Sequence, residues 1–330
     1  MPELPDVTVY TESLASKARS QVLKRLRILN PFVLRSALPP ISSAEGCTLQ
    51  AVERLGKRLV LVLRPPAPAP SAPSAPSASS APPAPPAPPV TPTPPASSSA
   101  ELLLVIHLMI AGRLRWLALG AKPPGRISLA ALEFETGQLV LTEAGTQRRA
   151  SMHLLADRAA LAAMDPGGLD VFAIDAAAFG VQLQRENHTL KRALTNPQLF
   201  SGIGNAYSDE ILHRARLSPI TLTRRLDNAE VQRLHEACRS VLGEWTDRLR
   251  AEAAAHGGWP DKVTAFHPQM AVHGRFGQPC PDCGSPVQRI VHADNETNYC
   301  ARCQTGGKLL ADRALSRLLK ASWPKHIDDV

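Results

Sequence analysis

Long apolar runs are missing from this sequence of 330 residues. None comes close to the roughly 20 residues that a membrane-spanning helix needs, so we expect no membrane span. The first residues, Met1 to Asp6, carry two acids and no apolar core segment, so we expect no signal peptide. These absences predict a soluble, intracellular protein.

Charged and aromatic residues are absent from one long segment, Pro65 to Ala100, which holds fifteen of the 31 prolines. A segment of Pro, Ala, Ser, Thr and Val cannot form a core, so we predict a disordered insertion over 65–100. It interrupts two strand-like runs, Arg58 to Leu63 and Leu102 to His107, which indicates a hairpin with a lengthened tip. We interpret the insertion as filler rather than a proline-directed docking site, and the sequence names no partner for it.

Cysteine is scarce, with six residues, and four of them are grouped in two pairs. Cys280 and Cys283 form one C-x2-C pair, and Cys300 and Cys303 form the other. This spacing suits two turns that present four thiolates to one tetrahedral Zn²⁺ with a structural role. Two disulfides are the alternative, and the predicted intracellular location makes them the weaker interpretation.

Acids are few in two regions, one near each end of the chain. The net charge is +8, with ten Lys or Arg against two acids between Lys17 and Arg64 and nine against four between Lys262 and Lys325. A positive surface of this kind neutralises phosphates, so nucleic acid is the expected partner; the alternative is an ordinary solvated surface.

Strand-like and helical patterns occupy different parts of the chain. Asp6 is a candidate cap for a helix with Val7, Tyr10 and Leu14 on one face. Short strand signals then follow as far as Thr142. From Asp175 onward the pattern is helical; it includes a capping-box-like start at Asp227 and Glu230, for a helix bearing the apolar positions Val231, Leu234, Cys238, Val241, Leu242 and Trp245.

The N-terminal residues carry groups that are able to react with a substrate. Removal of Met1 would leave Pro2 as a terminal secondary amine, followed directly by the carboxylate of Glu3. Such an amine can attack a sugar aldehyde carbon to form an imine if a nearby acid moves the protons. A proline that merely follows the initiator methionine is the simpler alternative.

Four motifs in order give this chain a family resemblance. They are Pro2-Glu3-Leu4-Pro5, Gly56-Lys57-Arg58, Gly202-Ile-Gly-Asn-Ala-Tyr207 with Asp209-Glu210, and the four-cysteine ribbon. In these the chain resembles the bifunctional DNA glycosylases that include formamidopyrimidine-DNA glycosylase and endonuclease VIII. The resemblance implies an α+β multidomain fold: an N-terminal β-sandwich with an N-terminal helix, a helix-two-turn-helix domain and a zinc ribbon, with DNA bound in the cleft between them.

The resemblance also suggests domain boundaries. We predict a β-sandwich catalytic domain over 1–160, a helix-two-turn-helix domain over 161–265, a zinc ribbon over 270–304 and a helical tail over 305–330. The resemblance further implies a monomer in the bacterial cytoplasm, bound to double-stranded damaged DNA and thereby associated with the nucleoid.

Catalytic roles follow from the same resemblance. Pro2 resembles the nucleophile that attacks C1′ of the damaged nucleotide and displaces the base. Glu3 resembles the group that transfers protons in ring opening and elimination. Lys57 resembles the lysine that holds phosphate beside the lesion, and the alternative is an ordinary lysine at a strand end.

DNA-binding roles are implied for a second set of residues. Gly202 and Gly204 permit a turn whose backbone N–H groups face a phosphate, and Asn205 resembles an asparagine that grips the DNA backbone. Lys191 resembles a lysine near the pocket, or lies simply on a helix surface. Glu210 is expected to cap a helix or to pair with a neighbouring arginine.

Three positions depart from the family pattern. Ile110 aligns with the methionine that fills the gap left by the flipped nucleotide, and Met109 stands one place earlier. Arg148 and Arg149 align with a second wedge whose phenylalanine is missing. Asn295 occupies the position of a ribbon arginine that clamps phosphate, so Arg289 or Arg302 would have to compensate.

Two classes of function remain open at this level. The first is a base-excision glycosylase with abasic-site lyase activity on oxidised or ring-opened bases, with weak activity on 8-oxoguanine. The second is a protein that binds damaged or branched DNA without cutting it. A zinc-ribbon transcription or ribosomal factor is a more distant third class, and it leaves the Pro-Glu start unexplained.

Overall fold

The computed structural model describes residues 1–66, 101–145, 147–260, 267–292, 295–310 and 324–329. Most of the insertion predicted over 65–100 and the centre of the predicted tail helix lie outside the described residues. None of the described helices combines the length and apolar character needed to cross a membrane.

Two four-stranded antiparallel sheets form the N-terminal half, in the orders β1-β6-β7-β5 and β2-β3-β4-β8. The strands are β1 (Arg25–Ile28), β2 (Thr48–Leu55), β3 (Arg58–Arg64), β4 (Leu102–His107), β5 (Gly112–Leu117), β6 (Ser128–Glu133), β7 (Gln138–Glu143) and β8 (Ser151–Leu155). This architecture confirms the predicted β-rich half. The strand pattern missed β8, whose short run follows the charged pair Arg148 and Arg149.

β3 is apolar on both faces because both of its faces are covered. Leu59, Leu61 and Leu63 belong to the core between the sheets, whereas Val60 and Val62 pack in a second cluster on the opposite face. Alternate residues of a strand point to opposite sides, so a continuous apolar run indicates a strand that is buried twice.

The lengthened hairpin has the predicted strand pairing. β3 and β4 are antiparallel neighbours, and Leu63 lies opposite Leu102 at the end nearest the insertion. The two strands are thus in register although a long segment separates them in sequence, as expected for a loop whose closure entropy grows slowly with length.

Helix α1 (Leu4–Ala18) packs on the sandwich through the predicted face of Val7, Tyr10 and Leu14. Its predicted start was wrong, because the helix begins before Asp6. Proline is tolerated in a first helical turn, and the Asp6 carboxylate accepts the backbone N–H of Glu3 at 2.7 Å. Asp6 therefore lies inside the first turn and bonds back to the residue that precedes the helix.

The C-terminal half is helical. Its helices are α2 (Arg158–Ala162), α3 (Ala176–Gln184), α4 (Leu190–Thr195), α5 (Asn205–Arg214) and α6 (Asn228–Ala255). The predicted capping box of α6 is confirmed: Asp227 accepts the N–H of Glu230 at 2.8 Å, and Glu230 accepts that of Asp227 at 3.2 Å. The apolar face of α6 packs in a second core with α3, α4 and α5.

A small ribbon completes the described fold, with β9 (Gln288–His292), β10 (Asn295–Tyr299) and α7 (Ala301–Thr305). The sulfur atoms of Cys280, Cys283, Cys300 and Cys303 lie within 4.8 Å of one another. Cys280 and Cys303 are 3.9 Å apart and Cys283 and Cys300 are 3.4 Å apart. A tetrahedron with Zn–S bonds of about 2.3 Å has edges of about 3.8 Å, so the cluster fits one structural Zn²⁺.

The disulfide alternative is ruled out by the same geometry. A disulfide needs an S–S distance of about 2.05 Å, and all six cysteines of the chain are free. Cys47 and Cys238 are buried apart from the cluster, as predicted.

The chain after the ribbon folds back onto it. Leu309, Leu310 and Ile327 pack with Tyr299 of β10, and Lys308 and His326 form a β-bridge. The predicted helix of the tail lies largely in 311–323, outside the described residues. The described ends of the tail thus share a small core with the ribbon.

Removing one thiolate tests the zinc site. Cys283→Ser should lose the metal and unfold the ribbon while the sandwich stays folded, because the metal's binding free energy is the folding free energy of such a module. Zinc per chain is measured by elemental analysis after dialysis, and sheet content by circular dichroism. Cys47→Ser is the matched control and should keep its zinc. Wild-type protein without zinc, or a Cys283→Ser variant that retains it, would contradict the assignment.

Candidate active site

The N-terminal residues bind the start of α5, about two hundred positions further along the chain. The Glu3 carboxylate accepts the backbone N–H groups of Gly204 at 2.6 Å, Ala206 at 2.9 Å and Tyr207 at 3.3 Å. The N–H of Leu4 donates to the Gly202 carbonyl at 2.9 Å. These bonds join the sandwich half to the helical half.

This arrangement differs from the sequence-based expectation for the glycine turn. The N–H groups at a helix N-terminus attract an anion, and a phosphate was the predicted one. In the structure the N–H of Gly204 already bonds to Glu3. The turn orients a carboxylate of the same chain.

Gly204 is required by close approach. A Cβ at this position would lie 2.5 Å from the Glu3 carboxyl carbon and 2.5 Å from Lys57 Nζ. Real Cβ atoms do not come that close to other atoms, so a larger residue would push these side chains apart. The carboxylate of Glu3 and the ammonium of Lys57 therefore converge on one glycine.

Lys57 is positioned by a two-residue hairpin between β2 and β3, in which Leu55 lies opposite Arg58. The first turn residue, Gly56, has φ +60°, a conformation that glycine adopts without strain. Burial lowers the pKa of Lys57, the negative charge of Glu3 partly opposes that shift, and the charge of Lys191 adds to it. Lys57 is thus a partly buried amine beside a carboxylate.

A cavity of about 280 Å³ opens beside these residues. Its wall includes Met1, Lys57, His107, Met109, Thr195 and Gly202. Burial lowers the pKa of the terminal amine, which the positive charge of Arg113 lowers further and the charge of Glu3 raises. Since Met1 lines this cavity, loss of Met1 would bring the amine of Pro2 to its wall.

His107 was missed by the sequence analysis. Burial, followed by the charges of Arg58 and Lys57, lowers its pKa to about 4, so the imidazole is neutral at physiological pH. The signal was available in the strand register, because His107 lies directly opposite Arg58 in the predicted hairpin. A histidine at the end of β4 and a lysine in the turn just before β3 lie at the same end of the sheet.

Lys191 lies in this region but is engaged by the protein. Its ammonium donates to the Asn205 carbonyl at 2.6 Å and pairs with Asp209 at 2.5 Å. The Asp209 side chain is fully buried and also bonds to His273 at 2.7 Å. Lys191 is therefore a partly buried ion-pair member rather than a free surface lysine.

Asn205 and Glu210 bind the ribbon. The Asn205 amide donates to the Glu296 carbonyl of β10 at 3.0 Å. The Glu210 carboxylate accepts the backbone N–H groups of residues 271, 272 and 273 at 2.7–2.9 Å, where the sequence predicted a cap or an arginine partner. Both residues hold the ribbon against α5.

The two predicted wedges lie at loops. Ile110 is 61% exposed at the turn between β4 and β5, next to Met109 on the cavity wall. Arg148 and Arg149 follow β7, and their side chains donate to the Arg126 carbonyl at 2.7 Å and to Gln147 at 2.7 Å. Neither arginine contacts the Glu3 and Lys57 cluster.

At the ribbon, Asn295 is exposed at the start of β10. Arg289, on the opposite strand, stacks over Phe276 at 4.2 Å and pairs with Glu296 at 3.3 Å. Arg302 pairs with Asp328. Both candidate substitutes for a phosphate-binding arginine have acidic partners.

Three family models match the chain. The N-terminal domain of formamidopyrimidine-DNA glycosylase matches residues 1–152, the H2TH domain of the same enzyme matches 165–248, and a zinc finger found in FPG and IleRS matches 277–306. Their order and positions follow the sandwich, the helical half and the ribbon.

Relatives carry the same name. An uncharacterised formamidopyrimidine-DNA glycosylase-like protein of Mycobacterium tuberculosis is 42% identical over 158 residues, which cover 48% of this chain and 95% of the relative. Formamidopyrimidine-DNA glycosylase of Chloroflexus aurantiacus is 28% identical over 312 residues, which cover 92% of this chain and 98% of the relative.

Solved structures agree in fold. The MutM (Fpg) protein of Thermus thermophilus is 28% identical, with a TM-score of 0.68 over 92% of this chain and 98% of its own. Lactococcus lactis Fpg, solved with DNA containing an abasic site, is 21% identical, with a TM-score of 0.72 over 92% and 99% of the two chains. With the three family models, these comparisons establish that the chain belongs to the formamidopyrimidine-DNA glycosylase family.

Proposed function

We propose that the protein is a DNA glycosylase of base-excision repair that also acts as an abasic-site lyase, with Pro2 as its nucleophile. The observation that carries the proposal is the position of the chain terminus. Met1 lines a cavity beside Lys57, and the carboxylate of Glu3 is held next to it by three backbone N–H groups. Loss of Met1 would expose the Pro2 amine at that wall.

The proposed reaction begins with attack of the Pro2 nitrogen on C1′ of the damaged nucleotide. An N–C1′ bond forms, the glycosidic bond breaks, and the base leaves with the bonding electrons and a proton. Opening of the sugar breaks the C1′–O4′ bond, and O4′ takes a proton, which leaves an iminium between Pro2 and C1′. Loss of a C2′ proton then expels the 3′ phosphate by elimination.

Glu3 is proposed to move these protons. An ionised carboxylate has about four acceptor sites, and three are occupied by backbone N–H groups. One site remains for the substrate. The three bonds orient that site, which accepts the proton that the Pro2 nitrogen loses on attack and delivers it to O4′, while the departing base takes its proton from water.

Double-stranded DNA with a damaged base is the proposed partner. Lys57 and the neutral His107 both line the cavity wall and suit a phosphate next to the lesion.

Further phosphates of the DNA are proposed to bind to Asn205, Lys191, Arg148 and Arg149. To do so, Lys191 and Asn205 would give up part of their present hydrogen bonds. Ile110 is proposed to fill the gap left by the flipped nucleotide. The substrates are proposed to be oxidised or ring-opened bases.

A second candidate, binding of damaged or branched DNA without cleavage, is favoured by the ribbon. Asn295 replaces the arginine of the family pattern, and Arg289 and Arg302 are paired with carboxylates. Exposed ion pairs exchange at small cost, so these arginines remain able to bind phosphate. The glycosylase proposal is preferred because both Pro2 and Glu3 are intact.

Borohydride trapping separates the two candidates. Wild-type protein incubated with abasic-site DNA and borohydride should yield a covalent adduct, because the reductant converts the iminium to a stable amine. A Pro2→Gly variant should give much less adduct, and so should a protein whose Met1 is retained, since its amine lies one residue further out. Wild-type protein that binds abasic DNA and forms no adduct would favour the binding candidate.

Glu3→Gln tests the proton-transfer role. The variant should lose about 100-fold or more in base excision, as expected for a missing general acid or base. The amide also turns an NH₂ group toward backbone donors, so thermal unfolding and affinity for DNA with an uncleavable abasic analogue are measured in parallel. Glu12→Gln, on the exposed face of α1, is the control. An affinity loss as large as the rate loss would mean that Glu3 is structural rather than catalytic.

A further inference from the structure

The side of α5 that faces the ribbon carries a row of polar residues. Asn205, Asp209 and His213 follow one another at intervals of four residues, so their side chains lie on one face of the helix. Two of them bind β10: Asn205 donates to the Glu296 carbonyl at 3.0 Å, and Asp209 accepts the N–H of Asn298 at 3.1 Å. His213 is the third member of the row, and its side chain is buried against the ribbon.

The imidazole of His213 faces the zinc cluster. Its Nε2 atom lies 3.3 Å from the sulfur of Cys280, whereas the carboxylate of Asp282 is 4.0 Å from the same nitrogen. The first distance is within hydrogen-bonding range for a sulfur atom, and the second is too long for a hydrogen bond between nitrogen and oxygen. The Cys280 sulfur is therefore a hydrogen-bond partner of this ring.

The chemistry of a zinc site decides which of these two atoms donates. Cysteine binds zinc as a thiolate, which has no proton and only accepts hydrogen bonds. In the zinc-loaded protein, His213 must then carry a proton on Nε2 and donate it to Cys280. Four thiolates bring more negative charge than one Zn²⁺ neutralises, so a donor at this sulfur stabilises the loaded form.

A second side chain joins the cluster to the same part of the helical half. Gln304 accepts the backbone N–H of Cys300 at 2.8 Å and donates from its amide to the Leu217 carbonyl at 2.9 Å. Leu217 lies just after α5. The two buried members of the cluster, Cys280 and Cys300, are thus both linked to the C-terminal end of α5.

We propose that His213 donates a hydrogen bond to the Cys280 thiolate and thereby raises the affinity of the ribbon for zinc. The four cysteines complete a tetrahedral site, so His213 is a positioning residue and not a ligand. A hydrogen-bond partner of a metal ligand contributes roughly 10–100-fold to metal affinity. The helical half of the chain therefore takes part in binding the metal. This role concerns the structural ion and does not depend on the proposed reaction.

Zinc affinity of the full-length protein, measured by competition with a chelator, tests the role in two variants of opposite character. His213→Phe keeps an aromatic ring but has no donor, and we expect a loss of roughly 10–100-fold in zinc affinity. His213→Gln keeps an N–H donor in a different shape and should retain most of the affinity. His256→Phe, at an exposed histidine that follows α6, is the control and should bind zinc like wild type.

The two variants separate hydrogen bonding from packing. If the ring of His213 only fills space, His213→Phe should bind zinc as tightly as wild type and His213→Gln should bind it more weakly. That pattern, or an equal loss in both variants, would overturn the proposal.

Nuclear magnetic resonance of wild-type protein tests the contact without a substitution. The long-range ¹H–¹⁵N spectrum of the zinc-loaded protein should show a proton on Nε2 of His213. Replacement of zinc by ¹¹³Cd should give the metal chemical shift of a site with four sulfur ligands. An Nε2 nitrogen without a proton, or a shift typical of mixed sulfur and nitrogen ligands, would contradict the assignment of His213 as a hydrogen-bond donor.

Discussion

The bond between the Glu3 carboxylate and the N-terminus of α5 is the contact on which the candidate site depends. Three backbone N–H groups at a helix N-terminus carry partial positive charge, and they fix a carboxylate from the other half of the chain. Arg54 strengthens the same junction through its ion pair with Asp170 at 2.6 Å. Because the terminus precedes Glu3 directly, this contact also fixes where the Pro2 amine lies.

α5 contacts the N-terminal residues, the neighbouring helices α4 and α6, and the ribbon. At its start it binds Glu3, and at its centre the buried Asp209 pairs with Lys191 while Glu210 binds the segment that leads into the ribbon. Near its end His213 lies 3.3 Å from the sulfur of Cys280. Removing the partner of a buried charge lowers the free energy of unfolding. The zinc ribbon, which contacts these residues of α5, therefore also stabilises the candidate site.

Sequence patterns predicted the structural features that depend on residues close in sequence. They failed for contacts between residues that are distant in sequence. The C-x2-C pairs, the capping box at Asp227 and the continuous apolar runs of β3 and β4 each specify their structure within a few residues. In contrast, the partner of Glu3 lies about two hundred residues away, and no periodicity identifies it. The glycine turn was consequently expected to bind phosphate, and the role of Glu210 was unforeseen. His107 needed only the hairpin register, which the sequence contained. The domain boundaries and the DNA contacts stay predictions.

The most direct measurement is the identity of the residue that carries the sugar after borohydride reduction. Lys57 is the natural competitor, because burial lowers its pKa, it lies beside Glu3 and it lines the cavity together with Met1. Tandem mass spectrometry of the digested adduct should find the sugar remnant on the nitrogen of Pro2, in a chain that has lost Met1. A remnant on Lys57 Nζ, or on the amine of a retained Met1, would contradict the account.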